Sequence, residues 1–78
     1  MVTVDLTQLE EGESGTVVGI DGGFGLTRRL ESMGIRVGKK VTKVSSQLMR
    51  GPVTVRLGNS RVAIGFGMAR KILVQMEK

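Results

Sequence analysis

Apolar and polar positions in this chain change period several times over short distances, and each change marks an element. Ser14-Gly15-Thr16-Val17-Val18-Gly19-Ile20 is rich in β-branched residues, whose restricted χ1 suits a pleated strand. Asp21-Gly22-Gly23 ends it as a turn. Leu26, Leu30 and Met33 then stand at i, i+4 and i+7, on one face of a helix predicted over residues 25–33. Gly34 follows where a left-handed residue commonly closes a helix, and Ile35 stands where an apolar residue folds back onto the last turn, here onto Leu30. A second strand is expected from Lys39 to Ser46, anchored by Val41 and Val44. Their spacing of three breaks simple alternation and predicts a bulge.

The second half is more regular. Met49-Arg50-Gly51-Pro52 reads as a turn, with Pro52 suited to a strand start. Val53, Val55 and Leu57 alternate with Thr54 and Arg56. Gly58-Asn59-Ser60 supplies hairpin chemistry, since Gly and Asn accept positive φ, and Arg61 to Ile64 returns as the paired strand. Gly65-Phe66-Gly67 breaks that strand, Met68 to Lys71 fits one helical turn, and Ile72 to Met76 closes as a last strand. At the other end, Thr3 to Leu9 reads as a lead-in to the charged turn Glu10-Glu11-Gly12-Glu13. Five short strands on a flat sheet would leave exposed edges, and curling covers them. The expected fold is therefore mainly β: a small SH3-like barrel of about five strands, with one short α-helix inserted after the first. It fills residues 1–78 as a single domain. Gly23-Phe24-Gly25-Leu26 is echoed by Gly65-Phe66-Gly67-Met68, which we read as two strand-to-helix exits built alike rather than as a duplication.

What the composition lacks narrows the function. There is no Cys, His, Trp or Tyr. Disulfides, zinc ribbons, iron–sulfur clusters, thiol nucleophiles, Ser-His catalysis and imidazole ligands are thereby excluded. Only carboxylates and lysines could serve as acid or base, and so short a chain offers little cleft to hold them. No enzyme is expected. The methionines are irregularly spaced and read as core filler rather than as soft metal ligands. Gly34-Ile35-Arg36-Val37-Gly38-Lys39-Lys40 has one residue too few between glycines for a phosphate-binding P-loop, and G-x-G-x-x-G fails at Arg28 and at Arg70. No run of about 18 apolar residues could span a bilayer, and the start Met1-Val2-Thr3-Val4-Asp5 has no signal-peptide character, so a cytoplasmic protein is expected.

The net charge of +5 is unevenly placed. Residues 1–27 carry Asp5, Glu10, Glu11, Glu13 and Asp21 and no basic residue, whereas all 12 Lys and Arg fall in residues 28–78. Such asymmetry suits either an acidic partner or a solvated surface whose ends attract each other. Binding of RNA or DNA is the alternative reading, weakened because single-strand binders stack bases on aromatics and only Phe24 and Phe66 are present.

The ordered run Gly22-Gly23, Leu26, Arg28-Arg29-Leu30, Met33-Gly34-Ile35, Gly38 and Val41 resembles the ferrous-iron transport protein A (FeoA) family. Its second half agrees through Gly51-Pro52-Val53, Val55, Gly58, Val62-Ala63-Ile64, Ala69, Ile72 and Val74, and its start through Leu6, Leu9, Gly12, Gly15 and Val17. The stretch Ile64-Gly65-Phe66-Gly67 departs from the Leu-Arg-Arg often found there, which removes any contact made by arginines at that point. The same domain closes iron-dependent repressors of the diphtheria-toxin-repressor type. What the resemblance implies is a small cytoplasmic SH3-like accessory module supporting ferrous-iron uptake through the membrane transporter FeoB, which carries a cytoplasmic GTP-binding domain. It ties the family to transition-metal ions, and Fe²⁺ enters only through that role, with no intrinsic cofactor and no metal-ligating residues expected here.

The candidate partner-binding residues are a basic strip of Arg28, Arg29, Lys39, Lys40 and Lys43, facing an acidic surface of the transporter or an anionic membrane, with Phe66 and Met68 as an apolar anchor. The bland reading of each is a pairing of Arg28 with Glu31, Phe66 capping the barrel and Met68 filling it. An exposed edge strand would also allow a homo-oligomer.

Overall fold

The computed structural model describes residues 2–45 and 50–76. It contains six strands: β1 (Val2–Asp5), β2 (Ser14–Ile20), β3 (Lys40–Ser45), β4 (Val53–Leu57), β5 (Ser60–Ile64) and β6 (Ile72–Met76). Helix α1 spans Phe24–Ser32, the short α2 spans Phe66–Ala69, and a 3-10 turn covers Leu6–Gln8. All six strands form one antiparallel sheet in the order β1-β6-β2-β3-β4-β5.

Two expectations are corrected. The lead-in is a strand, β1, because Val2 to Asp5 pair with Met76 to Leu73 at the far end of the chain. The helix therefore follows the second strand. The SH3-like fold stands, but the sheet is not closed: β1 and β5 remain its edges. It is nevertheless strongly curled. Val53, Val55 and Ile64 from one side of the sheet share a single buried cluster with Ile72, Val74 and Met76 from the other. Leu6 and Leu9 of the 3-10 turn, Leu30 of α1, Ile35 and Ala69 of α2 cover that cluster. The expected end of the β3 strand at Ser46 and the start of the turn at Met49 lie outside the described residues.

The local signals act as the sequence predicted. Gly34 takes φ +94° after α1. Its N–H donates to the Glu31 carbonyl at 3.0 Å, and the Ile35 N–H donates to Leu30 at 2.9 Å, a Schellman closure that drops Ile35 into the core. Leu30 is buried, with Leu26 and Met33 half-buried beside it. The hairpin between β4 and β5 pairs Leu57 with Ser60, and of its two central residues only Gly58 has positive φ, the II′ pattern. The echo between the two helix starts is structural as well, since Gly23 and Gly65 are both N-caps without a side-chain cap.

One feature of the β2–β3 pair was not foreseen. At one end, the Gly12 N–H donates to Lys43 O and the Lys43 N–H to Glu13 O, both at 2.9 Å. At the other, the Gly38 N–H donates to Val17 O at 2.8 Å and the Val17 N–H to Lys39 O at 2.9 Å. Each is a G1 bulge with glycine at positive φ (+89° and +94°), and each follows a turn closed by an i+3 N–H, Glu13 to Glu10 and Lys39 to Arg36. The same device thus bounds the ladder at both ends. One turn carries Glu10, Glu11 and Glu13; the other carries Arg36 and Lys39, next to Lys40. Val17 lies four residues beyond Glu13 along β2, so the two turns sit roughly 13 Å apart. The charge asymmetry of the sequence becomes an acidic end and a basic end of one ladder.

Candidate functional site: a basic depression on the outer sheet face

Strand alternation decides which basic side chains meet solvent. On β4, Val53, Val55 and Leu57 point into the core, leaving Arg56 exposed. On β3, Val41 and Lys43 point inward, leaving Lys40 exposed and Thr42 half-buried. The register places Thr42 opposite Arg56, and Arg56 opposite Arg61 of β5. On its other side Thr42 faces Ser14, and their hydroxyls are 2.7 Å apart. The outer face thus bears a row Ser14–Thr42–Arg56–Arg61, with Lys40 two residues along β3 and Lys39 fixed by its bulge. Lys39, Lys40, Thr42, Arg56 and Gly58 enclose a shallow depression of about 370 Å³. A second depression of similar volume shares Lys40 and runs past Glu13, Gly15, Thr16 and Gln75.

Lys43 departs from the expected strip. It is only 3% exposed, on the core side of β3. Its ammonium donates to the Leu9 carbonyl at 2.7 Å and the Thr7 carbonyl at 3.2 Å. Burial holds its pKa below the ordinary 10.5, opposed by the negative charges of Asp5 and Glu13. The sequence reading took Val44 as the inward partner of Val41. Instead the inward pair is Val41 and Lys43, and the irregularity falls between Lys43 and Ser45, leaving Val44 half-buried.

The remaining candidates fall in separate places. Arg28 and Arg29 are exposed on α1, and the Arg28 guanidinium lies 5.4 Å from the centre of the Phe24 ring. Phe66 and Met68 sit on α2, which packs against the 3-10 turn, not on an open loop. Both are half-buried; Met68 packs against the core and Arg50 lies over the Phe66 ring at 5.8 Å. The structure brings Lys39 and Lys40 together with Arg56, which sequence reasoning had not selected although the alternation of β4 already pointed it outward. It also exposes Phe24 at 75%, the most exposed large apolar side chain described. The signal was available: Phe24 stands two residues before Leu26, about 200° around the helix and opposite the buried face. Among the described residues, no three acidic side chains group so as to hold a metal ion, and no helix is long and apolar enough to cross a membrane.

A small curled antiparallel sheet with a short helix between its second and third strands defines a small SH3-like domain, here with a basic depression on its outer face. The FeoA domain family model matches residues 4–76, and the chain belongs to that family. It is 44% identical over 66 residues to "Putative Fe(2+) transport protein A" of Methanocaldococcus jannaschii, a match covering 85% of this chain and 78% of that protein. The crystal structure of an iron uptake regulatory protein (FeoA) superposes with a TM-score of 0.89 at 32% identity, over 99% of this chain and 100% of the other. A manganese-dependent transcriptional repressor superposes at 0.86 with 24% identity over 96% of this chain and 42% of its own length, a likeness of fold. The chain thus belongs to the FeoA domain family, and one of its relatives carries the name Fe(2+) transport protein A.

Proposed function

We propose that this chain is a non-catalytic interaction module that docks on the cytoplasmic side of a membrane ferrous-iron transporter, FeoB, whose GTP-binding domain is the natural contact. The observation that carries the reading is the family match along residues 4–76. The surface supports it: Lys39, Lys40, Arg56 and Arg61 offer positive charge to an acidic partner, and Phe24 offers a large exposed ring. In this reading Fe²⁺ is the transporter's cargo, and the module holds no resident metal.

The test is an amide-shift NMR titration of the labelled chain with the isolated GTP-binding domain, with a short single-stranded RNA as control. Saturable shifts with the domain, clustered on α1 or on the basic outer face, are expected. Shifts with RNA alone, vanishing as salt rises, would replace this reading with nucleic-acid binding.

A further inference from the structure

We infer that the depression between β3 and the β4–β5 hairpin is a binding site for a phosphate-bearing anion. Four features converge on it. First, three cationic side chains, Lys39, Lys40 and Arg56, and one hydroxyl residue, Thr42, surround it, and no carboxylate lines it. Arg offers a planar fork matched to phosphate oxygens, and lysine a mobile point charge; together they suit the several oxygens and multiple charge of a phosphate group. Second, Gly58 lines it without a side chain, and the space a Cβ would enter there is open, with no atom within 4 Å.

Third, the backbone that presents these side chains is fixed. Lys39 is the second residue of a G1 bulge locked by hydrogen bonds of 2.8 and 2.9 Å, and Thr42 is held through its contact with Ser14. Fourth, Arg56 stands directly across from Arg61 in the ladder. Like charges directly opposite on a sheet are destabilising, so the pair costs folding energy that a bound anion would relieve. The acidic turn Glu10 to Glu13 lies at the other end of the β2–β3 ladder, and its Glu13 lines the neighbouring depression rather than this one. The anion is either a free polyphosphate or the phosphate of a lipid headgroup, and both present the same oxygens to the same three cations.

The labelled chain is titrated with sodium pyrophosphate at ionic strength held constant with sodium chloride. Saturable shifts confined to Lys39, Lys40, Thr42, Arg56 and Gly58 are expected, and Arg56→Gln is expected to weaken them about fivefold. Arg70→Gln removes the same charge from the exposed residue after α2 and is expected to leave them unchanged. In parallel, the chain is sedimented with phosphatidylglycerol and with phosphatidylcholine vesicles. Selective pelleting with phosphatidylglycerol that pyrophosphate competes away assigns the site to headgroups; saturable pyrophosphate shifts without pelleting assign it to free polyphosphate. Shifts spread without saturation over all basic residues, equal weakening by both variants, or no response to either anion would overturn the site.

Discussion

The Lys43 ammonium donates to the Leu9 carbonyl at 2.7 Å, across 34 residues of sequence. A second bond to Thr7 O at 3.2 Å anchors the same segment. Together they tie the end of the 3-10 turn to the middle strand of the sheet. That turn is itself pre-formed by a capping box. The Asp5 carboxylate accepts from the Thr7 N–H at 2.8 Å and from the Thr7 hydroxyl, while the Asp5 N–H donates to Gln8 Oε1 at 2.8 Å. Leu6 and Leu9 enter the core on either side of it. One buried lysine thus ties this segment to the sheet through its side chain.

Lys43→Met keeps the aliphatic stem and removes the donors. The buried Leu9 carbonyl then loses this charged donor, at a cost of about 1–3 kcal/mol for a buried group whose hydrogen bond is removed. With a loss near 2 kcal/mol, Tm falls by roughly 10 °C in a domain of this size. Thermal unfolding by circular dichroism checks this, and an unchanged Tm would mean the bonds do not contribute.

The same lysine sets a pH dependence. Its folded pKa lies below 10.5, so with rising pH the folded chain releases this proton before the unfolded chain does. Between the lowered value and 10.5 the unfolded state binds more protons, and stability from this group rises with pH. Below that window both states are charged and the contribution is flat. The stability gap between the parent chain and Lys43→Met therefore widens as pH approaches 10.5. Denaturant midpoints of both chains across the alkaline range test the sign, which a narrowing gap would reverse.

Glycine substitutions separate backbone strain from crowding. Gly38 has φ +94°, and an added Cβ would meet no atom within 4 Å. Gly38→Ala therefore isolates the cost of a left-handed alanine, about 1–2 kcal/mol. Gly12→Ala, at φ +89° in the matching bulge and equally uncrowded, is expected to cost the same. Gly25→Ala has the opposite sign. It lies in α1 at ordinary φ with open space around it, and alanine there gains about 0.4–1 kcal/mol by restricting the unfolded chain. Urea unfolding of the three variants gives the comparison, and a shared sign would refute the distinction.

How far the sequence reveals the fold follows from where the deciding interaction lies. The closure of α1 needs only Leu30, Glu31, Gly34 and Ile35, so periodicity and one glycine were enough. The β4–β5 hairpin is equally local. Strand β1 escapes a local reading because its alternation, Val2-Thr3-Val4-Asp5, runs for only four residues and its partner Leu73–Met76 is about seventy residues away. Lys43 was misplaced because a hydrophobic pattern counts lysine as polar, and nothing near it in sequence announces the carbonyls of Thr7 and Leu9. Arg56 was visibly outward-facing, but joining it to Lys39 and Lys40 requires the β3–β4 register, which the chain encodes only through the folded sheet.

The two phenylalanines begin near-identical segments yet carry different weight. Phe66 is half-buried at the start of α2, a helix packed on the 3-10 turn, so Phe66→Ala removes packing and is expected to cost about 1–3 kcal/mol of stability. Phe24 is 75% exposed, with the Arg28 guanidinium 5.4 Å from its ring centre. Phe24→Ala should leave stability within about 0.5 kcal/mol. An exposed ring that stabilises so little is available to a partner, and aromatic residues dominate interface energies where a pocket closes over them. Phe24→Ala is therefore expected to weaken binding to the transporter's GTP-binding domain about tenfold, by calorimetric titration, with an unchanged melting curve. Phe66→Ala is expected to lower the melting curve first and binding only in proportion to the fold that is lost. Undiminished affinity in Phe24→Ala would move the contact off the start of α1 and onto the basic face around Arg56.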